Sequence, residues 1–161
     1  MDLNDFQALR PEDHALAFDL GGTKVVAAVI TPAGEILGRQ QEPTCQDGPQ
    51  AGISQMIRMA RKVLEDSEVR ISQVTCLGVG IPAVLEPGSD TVIWAPKLAG
   101  WRNVSLRTTL QEVLGVPAYL EYDGHTAVLG EWWLGNGKGY PSLVEVIIGT
   151  GIGGGMILDG L

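Results

Sequence analysis

Cysteine is nearly missing from this chain, and the two that occur, Cys45 and Cys76, have no second Cys or His at metal-ligand spacing. That argues against a disulfide framework and against a zinc site in this segment; with Cys76 inside an apolar run, both read as reduced thiols of a reducing compartment. Basic side chains are also scarce. Eleven Lys and Arg stand against 19 Asp and Glu, a formal net charge of -8. Neutralising a polyanion needs a surplus of cations on one face, so nucleic acid is not an expected partner. Long hydrophobic runs are lacking too. Nothing approaches the roughly 20 apolar residues of a membrane span, and Met1 to His14 mixes charges without a signal-peptide stretch, so no membrane association and a cytoplasmic location are expected.

What is abundant is glycine, at 22 positions, in a chain with 45% hydrophobic and 19% charged residues. Such a composition suits a globular α/β domain whose turns and close backbone approaches use the glycines. No solenoid-period repeat and no low-complexity segment is present. Residues 1–14 read as an extension, 15–134 as one lobe, and 135–161 as the start of a second lobe that is cut off.

Ala15 to Leu20 reads as a strand, Gly21-Gly22 as a turn, Lys24 to Thr31 as a second strand and Ile36 to Glu42 as a third, giving an antiparallel meander. A helix is predicted from Pro49 to Glu65, where Ile53, Met56, Ile57, Ala60, Val63 and Leu64 recur on one face. Val74 to Ile81 is a continuous apolar run, as expected of a strand covered on both faces. Thr91 to Trp94 reads as a short strand. A second helix is expected with Asn103 as cap and Leu106, Leu110, Val113 and Leu114 as its stripe, stopped by Gly115 and Pro117. Ala118 to Tyr122 is a strand, and Asp123 opens a third helix, closed by Trp132 and Trp133, in which Gly124, Ala127 and Gly130 form a small-residue face open to another backbone. Leu143 to Ile148 is a strand, Gly149 to Gly155 a turn, and Met156 to Leu158 the start of a return strand.

Three places carry chemistry. The turn from Asp19 to Lys24 brings Gly21, Gly22, Thr23 and Lys24 together: backbone amides without a neighbouring Cβ, a hydroxyl and an ammonium, a set suited to polyphosphate. The carboxylate of Asp19 would repel a bare phosphate, so it implies a Mg²⁺ ion or its water shell between the two. A plain hairpin turn is the bland alternative. The second place, Gly149-x-Gly151-x-x-Gly154, matches the dinucleotide fingerprint in form only, since apolar Met156-Ile157-Leu158 follows where that fold needs a helix. A second phosphate-binding hairpin with Thr150, Gly151, Gly153 and Gly154 around the outer phosphates fits better. The third is Asp123, leaving a strand at a helix start, as general base for an alcohol or simply as an N-cap. His125 is expected to pack on its helix and to ligate nothing.

Asp19-Leu20-Gly21-Gly22-Thr23-Lys24, Gly78-Val79-Gly80-Ile81-Pro82, Ala95-Pro96-Lys97-Leu98 with Trp101, Glu121-Tyr122-Asp123 with Gly130-Glu131, and Gly149-Thr150-Gly151-Ile152-Gly153-Gly154-Gly155 stand in the order of one family. The chain resembles, over nearly its whole length, the ROK family of bacterial sugar kinases and sugar-responsive repressors, within the actin-like ATPase superfamily. The resemblance implies a ribonuclease H-like mixed sheet with flanking helices, ATP and Mg²⁺ as cofactors, a small-molecule sugar as substrate, and a homodimer as one available assembly. It implies Asp123 as catalytic base, Asp19 to Lys24 as first and Thr150 to Gly154 as second phosphate motif, and Gly80, Lys97 and Tyr122 at the sugar. The family carries Asn at the positions of Lys97, Tyr122 and His125 and Gly at that of Ala83, so its hydrogen-bond pattern for a hexose does not transfer directly. Its zinc motif lies downstream of this segment. The expected function is ATP-dependent sugar phosphorylation by a longer parent, the segment alone being inactive; the alternative is a non-catalytic sugar-sensing regulator of the same family.

Overall fold

The computed structural model describes residues 10, 12–86, 88, 91–149 and 152–160. Three strands run as a meander, β1 (His14–Leu20), β2 (Lys24–Ile30) and β3 (Ile36–Pro43), followed by the helix α1 (Pro49–Asp66) and the strand β4 (Val74–Ile81). Two short strands β5 (Val84–Leu85) and β6 (Val92–Trp94) pair with β7 (Arg102–Val104). Then come α2 (Leu106–Leu114), β8 (Ala118–Tyr122), α3 (Asp123–Trp133) and the hairpin β9 (Leu143–Ile148) and β10 (Ile152–Ile157).

The main sheet has the order β3-β2-β1-β4-β8, antiparallel through the meander and parallel from β1 to β4 to β8. Parallel pairing requires a crossover, and α1 and α2 supply it. Alternation then sorts the side chains. Leu16, Phe18 and Leu20 of β1 and Leu77, Val79 and Ile81 of β4 are buried in one core with Ile53, Met56, Met59, Val63, Leu106 and Leu110 of the two helices. Each such side chain contributes roughly 1.5–3 kcal/mol on leaving water. The other face of the same strands carries Ala17, Asp19, Gly78 and Gly80. Register places Asp19 opposite Gly80, and Gly80 opposite Glu121, so three adjacent strands end in one row on that face.

Several sequence expectations need correction. Asn103 does not cap α2: it lies inside β7 with φ 50, and the residue before the helix is Ser105, which makes no side-chain cap bond. Val113 is not part of the buried stripe but 46% exposed, because α2 is short and meets the core through Leu106, Leu110 and the partly buried Leu114. The expected turn from Gly149 to Gly155 is shorter, since β10 already begins at Ile152 and places Gly153, Gly154 and Gly155 in register with Ile147, Val146 and Glu145. Glycines that resemble a loop in sequence form a strand here because bare backbone is needed where β10 crosses α3: a Cβ on Gly155 would stand 2.7 Å from the Gly124 carbonyl oxygen. The small-residue face of α3 is used at Gly124, whereas a Cβ on Gly130 would meet nothing within 4 Å. Among the described residues no helix is long and apolar enough to cross a membrane.

Candidate functional site

The turn between β1 and β2 is held from one side. Thr44 Oγ1 donates to the Gly21 carbonyl at 2.7 Å, Gln46 Nε2 to the Gly22 carbonyl at 2.8 Å, and the Thr44 amide to the Thr23 carbonyl at 3.0 Å. A trans peptide points its carbonyl and its N–H in opposite directions. The Gly22 and Thr23 amides are therefore turned away from residues 44–46, and among the described residues neither they nor the Thr23 hydroxyl bond to any group. The Gly21 amide differs from the sequence expectation of an open donor: it closes the turn on the Lys24 carbonyl at 2.9 Å.

Gly22 is bare for a further reason. A Cβ there would lie 2.7 Å from Lys97 Cβ and 3.0 Å from the Lys97 carbonyl oxygen, so the loop between β6 and β7 is pressed onto the turn. Gln46 joins the two, since its Oε1 also accepts from the Ala99 amide at 3.2 Å. Thr44 and Gln46 escaped the sequence reading, and no local signal marks them; only the folded chain brings them to the turn.

Asp123 is the first residue of α3, with Tyr122 before it as the cap position, so it is not the N-cap that the sequence left open. Its Oδ1 accepts from the Gly124 amide at 2.9 Å. Two spaces meet at its side chain. The larger, about 760 Å³, lies on the open face of the sheet and is lined by Asp19, Gly80, Glu121, Asp123 and Thr126. The smaller, about 210 Å³, is lined by Lys97, Tyr122, Asp123, Gly149, Gly153 and Gly154. Asp19, Gly80, Lys97, Tyr122, Asp123, Gly153 and Gly154 thus converge, while Thr150 and Gly151 lie outside the described residues. Gly80 is bare where α3 approaches, because a Cβ there would stand 2.8 Å from Thr126 Oγ1. Thr126 was not singled out by sequence.

Electrostatics tie the two carboxylates together. Burial pushes the Asp19 carboxyl up from its ordinary value, Lys24 opposes this, and the negative charge of Asp123 adds to it. A half-buried carboxylate with a second carboxylate beside it suits a dication. Among the described residues no group of three or more His, Cys, Asp or Glu is placed to hold a metal, so a cation here would draw its remaining ligands from phosphate or water. The donors fit a polyphosphate: two outward amides, the Thr23 hydroxyl, and the ammonium groups of Lys24 and Lys97. His125 is taken up locally, its Nδ1 being 3.0 Å from Glu121 Oε1 and its ring edge-on to Tyr122.

Comparison with known proteins agrees with this architecture. The chain is 31% identical over 150 residues to a glucokinase of Thermotoga maritima, covering 93% of this chain and 46% of that protein. Among solved structures, a ROK family glucokinase from Streptomyces griseus in complex with glucose and AMPPNP superposes with a TM-score of 0.82 at 26% identity, over 92% of this chain and 45% of that one. A ROK hexokinase from Thermus thermophilus gives 0.82 at 29%, over 92% and 48%. The chain spans less than half the length of these relatives. Its mixed sheet with flanking helices is the actin-like ATPase fold of these sugar kinases. With the family model matched over residues 15–161, the chain belongs to the ROK family.

Proposed function

We propose that the polypeptide containing this chain transfers the terminal phosphoryl group of Mg²⁺-bound ATP to a sugar hydroxyl. The observation that carries this reading is the position of Asp123 at the junction of the two spaces, beside Asp19. The complex of the Streptomyces griseus relative with glucose and AMPPNP supports it.

The Gly22 and Thr23 amides, the Thr23 hydroxyl and Lys24 would hold phosphate oxygens, and Asp19 would face the metal through its water shell. Gly153 and Gly154, with Thr150 and Gly151, would border the outer phosphates from the second hairpin. Gly80 and Tyr122 would border the acceptor. Bound ATP would supply the electrophilic phosphorus, and Mg²⁺ would neutralise the charge that develops on the phosphoryl oxygens. Asp123 takes the proton of the attacking hydroxyl as the new oxygen–phosphorus bond forms and the bond to the leaving ADP breaks. In this reading residues 15–134 form one lobe and the β9–β10 hairpin opens a second.

The test is a phosphorylation assay of the full-length polypeptide against a panel of sugars, with Asp123→Asn alongside. A loss of about 10²–10⁴ in kcat with nucleotide affinity retained is expected for the loss of a general base. Activity unchanged in Asp123→Asn would remove the assigned base.

A further inference from the structure

Lys97 is a cation that the resemblance leaves unexplained, since the family carries a neutral amide at its position. Three observations fix its setting. Its Cβ, Cγ and carbonyl oxygen pack where a Gly22 side chain would begin, so its stem starts against the first glycine turn. It lines the 210 Å³ space together with Asp123 and with Gly149, Gly153 and Gly154 of the second hairpin. It is exposed, and among the described residues it has no carboxylate partner.

A lysine is a donor-only point charge on a flexible four-carbon stem. Against a neutral sugar hydroxyl it can donate a hydrogen bond but leaves its charge unanswered, whereas against a phosphate oxygen the same bond joins opposite charges. The space it lines already holds Asp123, and the adjoining one holds Asp19, so the negative charge of a transferring phosphoryl group needs cations beyond Lys24. Between two glycine hairpins and next to the candidate base is where the transferring group must stand for in-line attack.

Building on the kinase reading above, we propose that Lys97 clamps the terminal phosphoryl group of the bound nucleoside triphosphate and does not serve the sugar. It is a specificity element for triphosphate over diphosphate, carried on the loop that Gln46 staples to the first turn. The anchorage matters: with Gln46 bonded to both Gly22 and Ala99, the backbone that bears Lys97 is tied to the turn that carries the Gly22 and Thr23 amides.

The experiment is calorimetric binding of Mg-AMPPNP and of Mg-ADP to the full-length wild type, Lys97→Met and Lys97→Arg, with sugar binding measured alongside. Lys97→Met is expected to weaken AMPPNP about tenfold or more while ADP stays within about twofold, and Lys97→Arg to recover most of the preference, as for a charge-assisted contact. Equal losses for both nucleotides, an unchanged AMPPNP-to-ADP ratio, or a loss confined to sugar affinity would each overturn the assignment. If the wild type binds neither nucleotide, the kinase reading itself fails, and that is seen without any variant. Because the side chain is exposed, Lys97→Met should fold; a melting temperature matching wild type verifies it.

Discussion

Gly124 and Gly154 touch through bare backbone: the Gly154 carbonyl oxygen occupies the place where a side chain on Gly124 would begin. The helix that starts with Asp123 and the second glycine hairpin are thereby locked together at the residue next to the candidate base. A methyl group there has nowhere to go, because the obstacle is main chain of a paired strand.

Gly124→Ala should therefore lower stability by about 1–3 kcal/mol, as overpacking does, and displace the hairpin from α3. Gly130→Ala is the control on the same helix: its Cβ would meet nothing within 4 Å, and removing a helix glycine should stabilise by up to about 1 kcal/mol. Thermal melts of both variants check the pair; equal effects would contradict the contact.

Gly22→Ala should loosen the loop carrying Lys97, since the new Cβ would lie 2.7 Å from Lys97 Cβ. The expected signature is faster hydrogen exchange at the Ala99 amide, which bonds to Gln46 Oε1 at 3.2 Å, together with a lower melting temperature. Unchanged protection at Ala99 would show that the turn and the loop are not coupled.

Asp19→Asn should raise the melting temperature of the metal-free protein at neutral pH. Burial and Asp123 hold the Asp19 carboxyl above its ordinary value of 3.8, so its ionised form costs the folded state stability as pH rises through that range. Below that pH both states are protonated and the gain should vanish. The same variant should lose most of the stabilisation conferred by Mg-ATP, since the carboxylate proposed to face the metal is gone. Melting curves with and without Mg-ATP across pH decide both points.

Glu42→Gln tests the clamp between β3 and α1. Arg58 Nη1 and Nη2 reach the two carboxylate oxygens at 2.8 and 2.6 Å, Gln55 adds a bond at 3.1 Å, and the Glu42 carboxyl falls from 4.5 to about 2. A depressed carboxyl stabilises the fold above its ordinary value and loses that contribution as pH drops toward 2. The variant should be less stable at pH 7 by no more than about 1 kcal/mol, as for a solvent-screened pair, and should match wild type near pH 2. A difference that persisted at low pH would assign the loss to packing.

The amino-acid sequence alone determined the meander, the crossover helix and the strands ending at Ile81 and Tyr122, because each rests on a short-range pattern. Apolar residues recur at helical steps over Pro49–Asp66, and an unbroken apolar run fills Val74–Ile81. It also marked Asp19, Gly80 and Asp123, which stand at strand ends, where a parallel sheet gathers such residues along one edge. It misread Gly153 to Gly155, since glycine signals freedom of backbone but not its use, and here the use is close passage over Gly124. Only the tertiary structure decided which amides of the first turn stay free, because their direction depends on Thr44 and Gln46 taking the carbonyls from about twenty residues away. It alone placed Lys97 against Gly22 as well. Contacts between segments distant in the chain leave no periodicity in either one, and so must be read from the fold.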